Sequence, residues 1–305
     1  MISETKINGW DNHMVIHNKV IYPQSIDQNA PQNYYLSLWV GARGSGKTYL
    51  MTKLLKTIEK KKVYLDGHEV PQRIILICST AHSDSNRVFK SLKNLDWDND
   101  VIENYNDISL LNKMEELKTD IEKSKDYKAY KEVWGKFKKI DNVDDLSMDE
   151  MLLLNKYNFT PFKEIPKPKY PNSFVIYWVV DDMIGTDIFK NGRSVFTNLC
   201  IRNRHVIPGN ILIATQAIMQ VPKTIRLNCN LIVLFKFANK ENILNDVYPT
   251  VSSYVTEEQF KEMYEYATSE AHNALVIDGT NGPIQFKKNF NILLQMNNNI
   301  KTDID

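Results

Sequence analysis

The chain is poor in cysteine and has no excess of either charge. Its 305 residues include three cysteines (Cys78, Cys200 and Cys229) with no CxxC pair, which argues against a disulfide framework or a zinc site and for reduced thiols in a cytosolic compartment. The 38 basic and 37 acidic side chains give a net charge of +1. Any surface that binds nucleic acid would therefore have to be local.

Long apolar runs are also missing. Residues 1–17 lack the apolar stretch of a signal peptide, and no run in the chain approaches the roughly 18 residues that a membrane helix needs. We therefore expect an intracellular protein without a membrane span. Apolar residues nevertheless make up 43% of the chain, which is enough for a sizeable core.

Short apolar segments separated by helical patterns predict an α/β fold. Six segments rich in β-branched and aromatic residues predict buried strands, namely 34–40, 73–80, 174–180, 210–215, 231–237 and 273–278. Near-continuous apolar strands are typical of a mainly parallel sheet that helices cover on both faces. We assign this sheet to one domain over residues 34–290.

One interval of the chain lacks strand signals. Residues 106–157 are charged and helical in period, and residues 158–173 contain four prolines, which exclude regular structure. We predict a helical insertion with a stiff return loop (106–173) between the second and third strands, either with a solvated helical face or as a binding module. Residues 1–33 are predicted as a loose lead-in and residues 291–305 as a tail.

A glycine-rich octet after the first strand is the most specific motif. Residues 41–48 read GARGSGKT and match G-x-x-x-x-G-K-[ST] at every required position, between a strand and a helix. The glycines let the backbone wrap a phosphate, toward which the loop amides and the helix N-terminus point. Lys47 would reach the β- and γ-phosphates, and the Thr48 hydroxyl would ligate Mg²⁺. The predicted nucleotide-binding residues are Gly41, Ala42, Arg43, Gly44, Ser45, Gly46, Lys47, Thr48 and Tyr49, of which Arg43 is expected to be solvated.

A pair of carboxylates, Asp181 and Asp182, ends the third predicted strand. Asp181 would bind Mg²⁺ through water, and Asp182 would orient and deprotonate the attacking water. The alternative is an acidic cap on the next helix, because aspartate is common at N-caps. After a P-loop, the doubled acid favours a hydrolytic site over a small-molecule kinase, which must exclude water.

Gln216 follows the fourth predicted strand. In a sheet that places this strand beside the first, the side chain would sense the γ-phosphate or fix the attacking water, with a helix cap as the alternative. Arg202 and Arg204 precede the same strand, and Arg226 precedes the fifth. An arginine inserted into a neighbour's site would stabilise transition-state charge. We favour Arg202 or Arg204 for this role, with surface salt bridges as the alternative.

A possible guanine-reading motif lies in the segment FANKEN (237–242). Asn239 and Lys240 fit the pattern NKxD, but Asn242 replaces the aspartate that would pair with guanine. We therefore interpret the match as coincidence and expect ATP.

The order of these motifs resembles a known family. The P-loop is followed by VVDD (179–182), RNRH (202–205), TQ (215–216), VPKTIR (221–226) and YATSEAHNALVIDG (266–279). This order is similar to that of the genome-packaging ATPases of large double-stranded DNA viruses and virophages, the poxvirus-type branch of the FtsK–HerA superfamily. The resemblance covers roughly residues 34–280.

The resemblance implies a P-loop NTPase fold of the RecA-like (ASCE) type and an oligomeric ring that threads duplex DNA into a preformed capsid by hydrolysing ATP. It places Lys47, Thr48, Asp181 and Asp182 at ATP and Mg²⁺, Gln216 as a sensor, and an arginine of the RNR segment at a neighbour's site. It also implies a capsid vertex or portal as partner, and a location in the host cytoplasm (the viral factory), in the virion or in both.

Other functions stay open at this point. The same chemistry would serve another DNA translocase, a helicase or a plasmid-segregation ATPase, although further helicase motifs are not found. A nucleotide-dependent assembly switch is an alternative from another class. A nucleotide kinase is disfavoured by Asp182 and by the lack of an arginine-rich lid.

Overall fold

The computed structural model describes residues 22–25, 30–140, 143–183, 185–189, 194–237 and 245–295. The strands are β1 (Gln24–Ser25), β2 (Leu36–Val40), β3 (Val63–Leu65), β4 (His68–Val70), β5 (Gln72–Ile77), β6 (Val101–Ile102), β7 (Val175–Val180), β8 (Gly209–Thr215), β9 (Leu231–Phe235), β10 (Ala274–Asp278), β11 (Gln285–Lys288) and β12 (Ile292–Leu294). The α-helices are α1 (Lys47–Lys60), α2 (Asp107–Phe137), α3 (Met148–Lys156), α4 (Val195–Ile201), α5 (Lys223–Arg226) and α6 (Glu257–Ala267).

A nine-stranded sheet dominates the fold, in the order β12-β11-β10-β9-β2-β8-β7-β5-β6. The six strands from β9 to β6 pair in parallel. The first five predicted strands correspond to β2, β5, β7, β8 and β9, so the predicted fold class is confirmed. Since β8 lies between β2 and β7, the fourth predicted strand does neighbour the P-loop strand.

The remaining three strands form an antiparallel extension of the sheet. β10, the sixth predicted strand, pairs antiparallel with β9, with Ala274 opposite Phe235. β11 and β12 continue the antiparallel order, and β12 lies within the segment predicted as a tail. Because β10 runs against β9, the residues that precede β10 lie at the carboxyl edge of the parallel strands.

Both faces of the sheet are buried. Along β7, Ile176, Trp178 and Val180 face one core, and the three alternate residues face the other, as the two-residue period of a strand dictates. Side chains of α2, α4, α5 and α6 cover the first face, and those of α1 and of the 3₁₀ helix Asp84–Ser91 cover the second. The helices therefore hold the sheet as a rigid platform for the loops at its edges.

A second, three-stranded sheet was not predicted. It consists of β1, β3 and β4, and the hairpin β3–β4 turns at Asp66 and Gly67, both with positive φ (52° and 74°). Asp-Gly is a strong turn signal, because a two-residue type I′ turn needs positive φ at both positions. The segment VYLDGHEV contains this dipeptide.

The helical insertion is anchored at one end and has its own small core at the other. The 31 residues of α2 extend for about 46 Å. Leu110, Met114 and Leu117 of its first half belong to the main core. Its second half packs against α3 and the return loop, around a separate cluster of buried residues, Tyr130, Val133, Leu146 and Leu154. Within the described ranges, no helix is both long enough and apolar enough to span a membrane.

Candidate nucleotide site

A cavity of about 530 Å³ opens at the carboxyl edge of β2, β7 and β8, within the range of small-ligand pockets. The predicted residues that line it are Arg43, Gly44, Gly46, Lys47, Thr48, Tyr49, Asp181, Asp182 and Gln216. They come from three segments that are far apart in the chain. The parallel strands bring these segments together because their carboxyl ends meet at one edge.

The P-loop needs glycine at two positions for different reasons. A Cβ on Gly41 would lie 2.5 Å from Ser45 Oγ and 2.7 Å from Phe235 Cβ, so no side chain fits there. Gly46, which precedes α1, has a left-handed backbone with φ of 102°, and a Cβ would lie 3.1 Å from that of His272. The loop is therefore packed tightly. The amides of Gly41 and Ser45 donate to carbonyl oxygens of Thr215 and Ala42, and a phosphate would face the other loop amides and the N-terminus of α1.

Lys47 reaches back across the loop. Its Nζ donates to the carbonyl oxygens of Gly41 and Ala42, at 2.7 and 2.9 Å. Burial lowers the pKa of this ammonium, and attraction by Asp181 and Asp182 opposes that effect. The buried ammonium lies where the phosphates of a nucleotide would be its strongest partner.

Thr48 and Asp181 form the part of the site suited to a metal ion. Thr48 Oγ1 donates to Asp181 Oδ2 at 2.6 Å, and the aspartate is 4% exposed. Burial raises the pKa of Asp181, although the Thr48 hydrogen bond and Lys47 lower it in part. A hydroxyl and a carboxylate oxygen at the end of a phosphate loop are hard ligands, and they fit Mg²⁺.

Asp181→Asn is expected to stabilise the nucleotide-free protein. Because the pKa of Asp181 is raised on folding, its carboxylate costs stability above the unfolded pKa of about 3.9. The variant should therefore melt at a higher temperature at pH 7, and the difference should disappear below the unfolded pKa. The exposed Asp98, changed to Asn, is the control, with no expected change. A lower melting temperature for Asp181→Asn would contradict the burial argument.

Asp182 is held in position by the end of β5, which the sequence reasoning missed. Its backbone is left-handed, with φ of 53°. Ser79 Oγ donates to the carbonyl oxygen of Asp182 at 2.9 Å, and Thr80 Oγ1 donates to its Oδ2 at 3.0 Å. Polar residues directly after the strand RIILIC were the available signal, because β5 and β7 are neighbours.

Thr80→Val is expected to slow ATP turnover by up to about 100-fold while leaving nucleotide affinity unchanged. The carboxylate of Asp182 would lose the hydroxyl that orients it, and misplacement of a reacting group by about 1 Å has an effect of this size. Thr80→Ser keeps the hydroxyl and is the matched control. Equal kcat in the Val and Ser variants would show that the Thr80–Asp182 hydrogen bond has no role in turnover.

Gln216 is exposed at the wall of the cavity, directly after β8. The preceding residue, Thr215, accepts a hydrogen bond from Gly41 N at 3.2 Å through its carbonyl oxygen. The end of β8 is thereby fixed against the start of the P-loop. Gln216 thus lies beside the loop, where a γ-phosphate sensor is expected.

Arg202 and Arg204 do not lie at this site. Asn203, between them, donates to the carbonyl oxygens of Tyr34 and Gly209 at the amino ends of β2 and β8. Arg204 contacts the ring of Tyr22, and Arg202 is exposed. The length of β8, about 20 Å, separates this edge from the P-loop edge. Neither arginine can reach the nucleotide site of its own chain.

Arg226 is described by the structure, whereas most of the segment compared with the guanine-reading motif is not. Arg226 is half-buried, and its Nε donates to the carbonyl oxygen of Val221 at 3.0 Å. Most of the segment 237–242, compared above with NKxD, lies outside the described residues.

His272 is a neighbour of the P-loop that the sequence reasoning did not single out. It has a left-handed backbone with φ of 65° and packs against Gly46. Asn273 and Asn289 brace its loop through a side-chain hydrogen bond of 3.0 Å. No local signal points to this contact, because it depends on the antiparallel direction of β10.

Comparisons with known proteins give matches only among solved structures. No protein-family model matches the chain, and no curated protein sequence matches it. The genome packaging NTPase B204 from Sulfolobus turreted icosahedral virus 2, solved in complex with AMP, is 14% identical over 83% of this chain and 96% of its own, with a TM-score of 0.42.

Two ATPases from other settings are also similar. EssC (ATPases 2 and 3) from Geobacillus thermodenitrificans is 12% identical over 84% of this chain and 39% of its own, with a TM-score of 0.44. The pCW3 conjugation coupling protein TcpA with ATPγS is 12% identical over 92% and 68%, with a TM-score of 0.39. At this level the likenesses carry no argument about the present chain, whose fold and site rest on their own geometry.

Proposed function

We propose that the chain is an ATP-hydrolysing motor that moves double-stranded DNA. The observation that carries the proposal is Asp182, a carboxylate at the P-loop cavity that is separate from the buried Thr48–Asp181 pair. One acid is thus available for the metal and a second for the attacking water. A nucleotide-binding switch needs only the first of these.

Each residue of the site has a role in this proposal. The amides of loop 42–46 and the Lys47 ammonium bind the phosphates of ATP, with Lys47 giving up its bonds to Gly41 and Ala42. Thr48 and Asp181 would hold Mg²⁺, which neutralises charge on the β- and γ-phosphates when bound. Asp182 accepts the proton of the attacking water, and Gln216 orients that water or senses the γ-phosphate.

The far-edge arginines favour an oligomeric ring. Arg202 and Arg204 are exposed at the edge opposite their own P-loop. An arginine in that place could stabilise transition-state charge only in a neighbouring subunit. We propose a homo-oligomeric ring in which one of the two acts in trans.

Genome packaging is the specific process that we propose. The motif order from Asp181 to Arg226 resembles that of viral packaging ATPases, which suggests duplex viral DNA as the substrate and a capsid vertex or portal as the docking partner. The location would be the host cytoplasm, in the viral factory, or the virion. A translocase of another kind, such as a segregation ATPase, would share the same site.

ATP turnover with and without duplex DNA tests the proposal. The assembled protein should hydrolyse ATP faster when a long duplex is present, and the stimulation should fall as salt rises, because the phosphate contacts are electrostatic. Turnover without any DNA stimulation would contradict a DNA motor and favour the assembly switch. ATP binding without turnover would contradict hydrolysis itself.

Mixed oligomers test the trans arginine. Lys47→Ala subunits lack a working P-loop but keep their arginines, and Arg202→Ala/Arg204→Ala subunits have the opposite defect. Since each kind supplies what the other lacks, mixing them should restore part of the activity. Full activity in a dilute monomer would overturn the trans assignment.

A further inference from the structure

We propose that the exposed side of the second half of α2 is a docking surface for the phosphate backbone of duplex DNA. This surface, called the basic face below, consists of Lys125, Lys128, Lys131 and Lys136 of α2 and of Lys138 and Lys139, which directly follow the helix. The inference rests on the proposed DNA-dependent function and goes beyond it, because it assigns the contact to an insertion that nucleotide chemistry does not use.

Charge on the insertion is strongly polarised although the whole chain is balanced. The interval 123–139 has seven lysines against Asp126 and Glu132. On the other side of the small core, residues 143–157 include four acidic side chains against Lys156. A net charge of +1 for the chain therefore conceals one strongly basic helix surface.

Most of the helical lysines lie on one side of α2. With 3.6 residues per turn, positions 125, 128 and 131 lie on the side opposite the buried Tyr130 and Val133, and position 136 lies at its border. Lys138 and Lys139 directly follow the helix. Glu132 is the only acidic residue among them. Lysines in the last turn of a helix interact favourably with the helix dipole. Lys125 and Lys131 lie too far from the helix end for this interaction to explain their presence.

Part of this charge is unpaired. Lys128 and Lys136 have partners, Asp66 at 3.2 Å and Glu150 at 2.9 Å. Lys125, Lys131 and Lys138 are exposed, and no described residue forms an ion pair with them. Free ammonium groups at this density repel one another, and a polyanion would relieve that repulsion.

The chemistry of the face favours duplex DNA and contact without sequence reading. From Lys125 to its end at Phe137 the helix rises about 18 Å, over which a duplex carries about ten phosphate charges. The basic face has lysine and no arginine, so it lacks the planar guanidinium group that forms two hydrogen bonds with one guanine base. A motor that moves along DNA of any sequence needs contacts that do not depend on the bases.

Aromatic side chains on this helix point away from the basic face. Tyr127 packs on Phe162 with ring centroids 4.9 Å apart, and Trp134 packs on Phe137 at 5.5 Å. Single-strand binding relies on exposed aromatic rings that stack with bases. The aromatic rings of α2 pack inward instead, which favours a duplex over a single strand as the ligand.

The basic face is remote from the nucleotide site. Arg73, at the amino end of β5, contacts Glu116 and Asp120 of α2, and Ser124 Oγ lies 2.5 Å from the carbonyl oxygen of Tyr170. Residues beyond 124 therefore project past the edge opposite the P-loop. Changes to the basic face should leave hydrolysis without DNA intact.

The test is the variant Lys125→Glu/Lys131→Glu/Lys138→Glu of the full chain. Binding to a fluorescent 30-base-pair duplex should weaken at least about 10-fold at ~0.1 M salt. The slope of log Kd against log salt should fall by about 2 to 3, since each phosphate contact contributes about 0.9. DNA-stimulated turnover should fall with it, while basal turnover stays unchanged.

The matched control is Lys60→Glu/Lys93→Glu/Lys223→Glu, three exposed lysines outside the insertion with the same change in net charge. It should retain duplex affinity, which separates a local surface from an effect of total charge. Lys-to-Gln versions of the test variant remove the charge without reversing it and should show a smaller loss in the same direction.

Three results would overturn the inference. The first is that the test variant binds duplex like the wild type, and the second is that the test and control variants weaken duplex binding equally. The third is that the test variant changes only self-association in sedimentation, which would make the basic face a contact between copies. If the wild type itself shows neither duplex binding nor stimulation, the proposed translocation fails too. A wild type that is stimulated by duplex, beside an equally stimulated test variant, rejects the basic face alone.

Discussion

Asp182→Asn is expected to reduce ATP turnover by about 10²- to 10⁴-fold while the protein still binds ATP. The variant keeps the size of the side chain and its hydrogen bond from Thr80 but cannot accept a proton at neutral pH. Loss of a positioned general base has an effect of this magnitude. Single-turnover hydrolysis and the affinity for a non-hydrolysable ATP analogue, measured on the same preparation, check both parts.

The geometry explains why binding should persist in this variant. Asp182 is exposed at the cavity, whereas the groups for phosphates and metal are Lys47, Thr48 and the buried Asp181. Asp181→Asn is the comparison, since removing a metal-holding carboxylate should weaken Mg²⁺ affinity about 10- to 100-fold. If Asp182→Asn weakened metal binding instead of turnover, the roles of the two carboxylates would be reversed.

Arg73→Met is expected to destabilise the protein by about 3–5 kcal/mol. Arg73 is 2% exposed and Asp100 is 1% exposed, and their side chains meet at 2.7 Å. Burial alone would lower the pKa of the guanidinium, but its hydrogen bonds and attraction to Asp100 and Glu116 outweigh that effect and raise it. Removing one partner of such a buried pair leaves an uncompensated charge, which accounts for the size of the loss.

The remaining charges around Arg73 set the design of the experiment. Lys113 Nζ lies 3.3 Å from Asp100, so it reduces the loss of stability in Arg73→Met. It cannot replace the two hydrogen bonds that Arg73 donates to the carboxylate of Asp100. The double variant Arg73→Met/Asp100→Leu should recover much of the stability, because apolar pairs substitute well for buried ion pairs. Asp120→Asn, at a half-exposed partner, should change stability by less than about 1 kcal/mol.

Chemical unfolding of the three variants is the measurement. A loss below about 1 kcal/mol for Arg73→Met would show that the network contributes little to stability. A double variant that is no more stable than Arg73→Met would show that the buried charge of Asp100 is not the cause. Because Arg73 links β5 to α2, the same variant should also increase amide exchange in the insertion.

Much of the nucleotide site followed from local sequence signals. The octet 41–48 is contiguous, and its glycine spacing reflects a backbone shape that few other residues adopt. Asp181 and Asp182 end a strand whose apolar run is unmistakable, so their place at the sheet edge followed from strand period and direction. Ser79 and Thr80, which hold Asp182 in place, were not predicted, because their role depends on which strand lies beside β7.

The sequence by itself determined the elements and the local chemistry of this protein: apolar strands, a phosphate loop, two acids and an even charge balance. These are properties of neighbouring residues, which sterics and hydrophobic periodicity govern directly. Only the tertiary structure decided that β10 runs antiparallel and brings His272 to the P-loop, and that Arg202 and Arg204 lie at the opposite edge. It also decided that Lys125, Lys128 and Lys131 share one exposed side of α2. Each of these depends on strand order, chain direction and burial, which come from contacts between residues far apart in the chain.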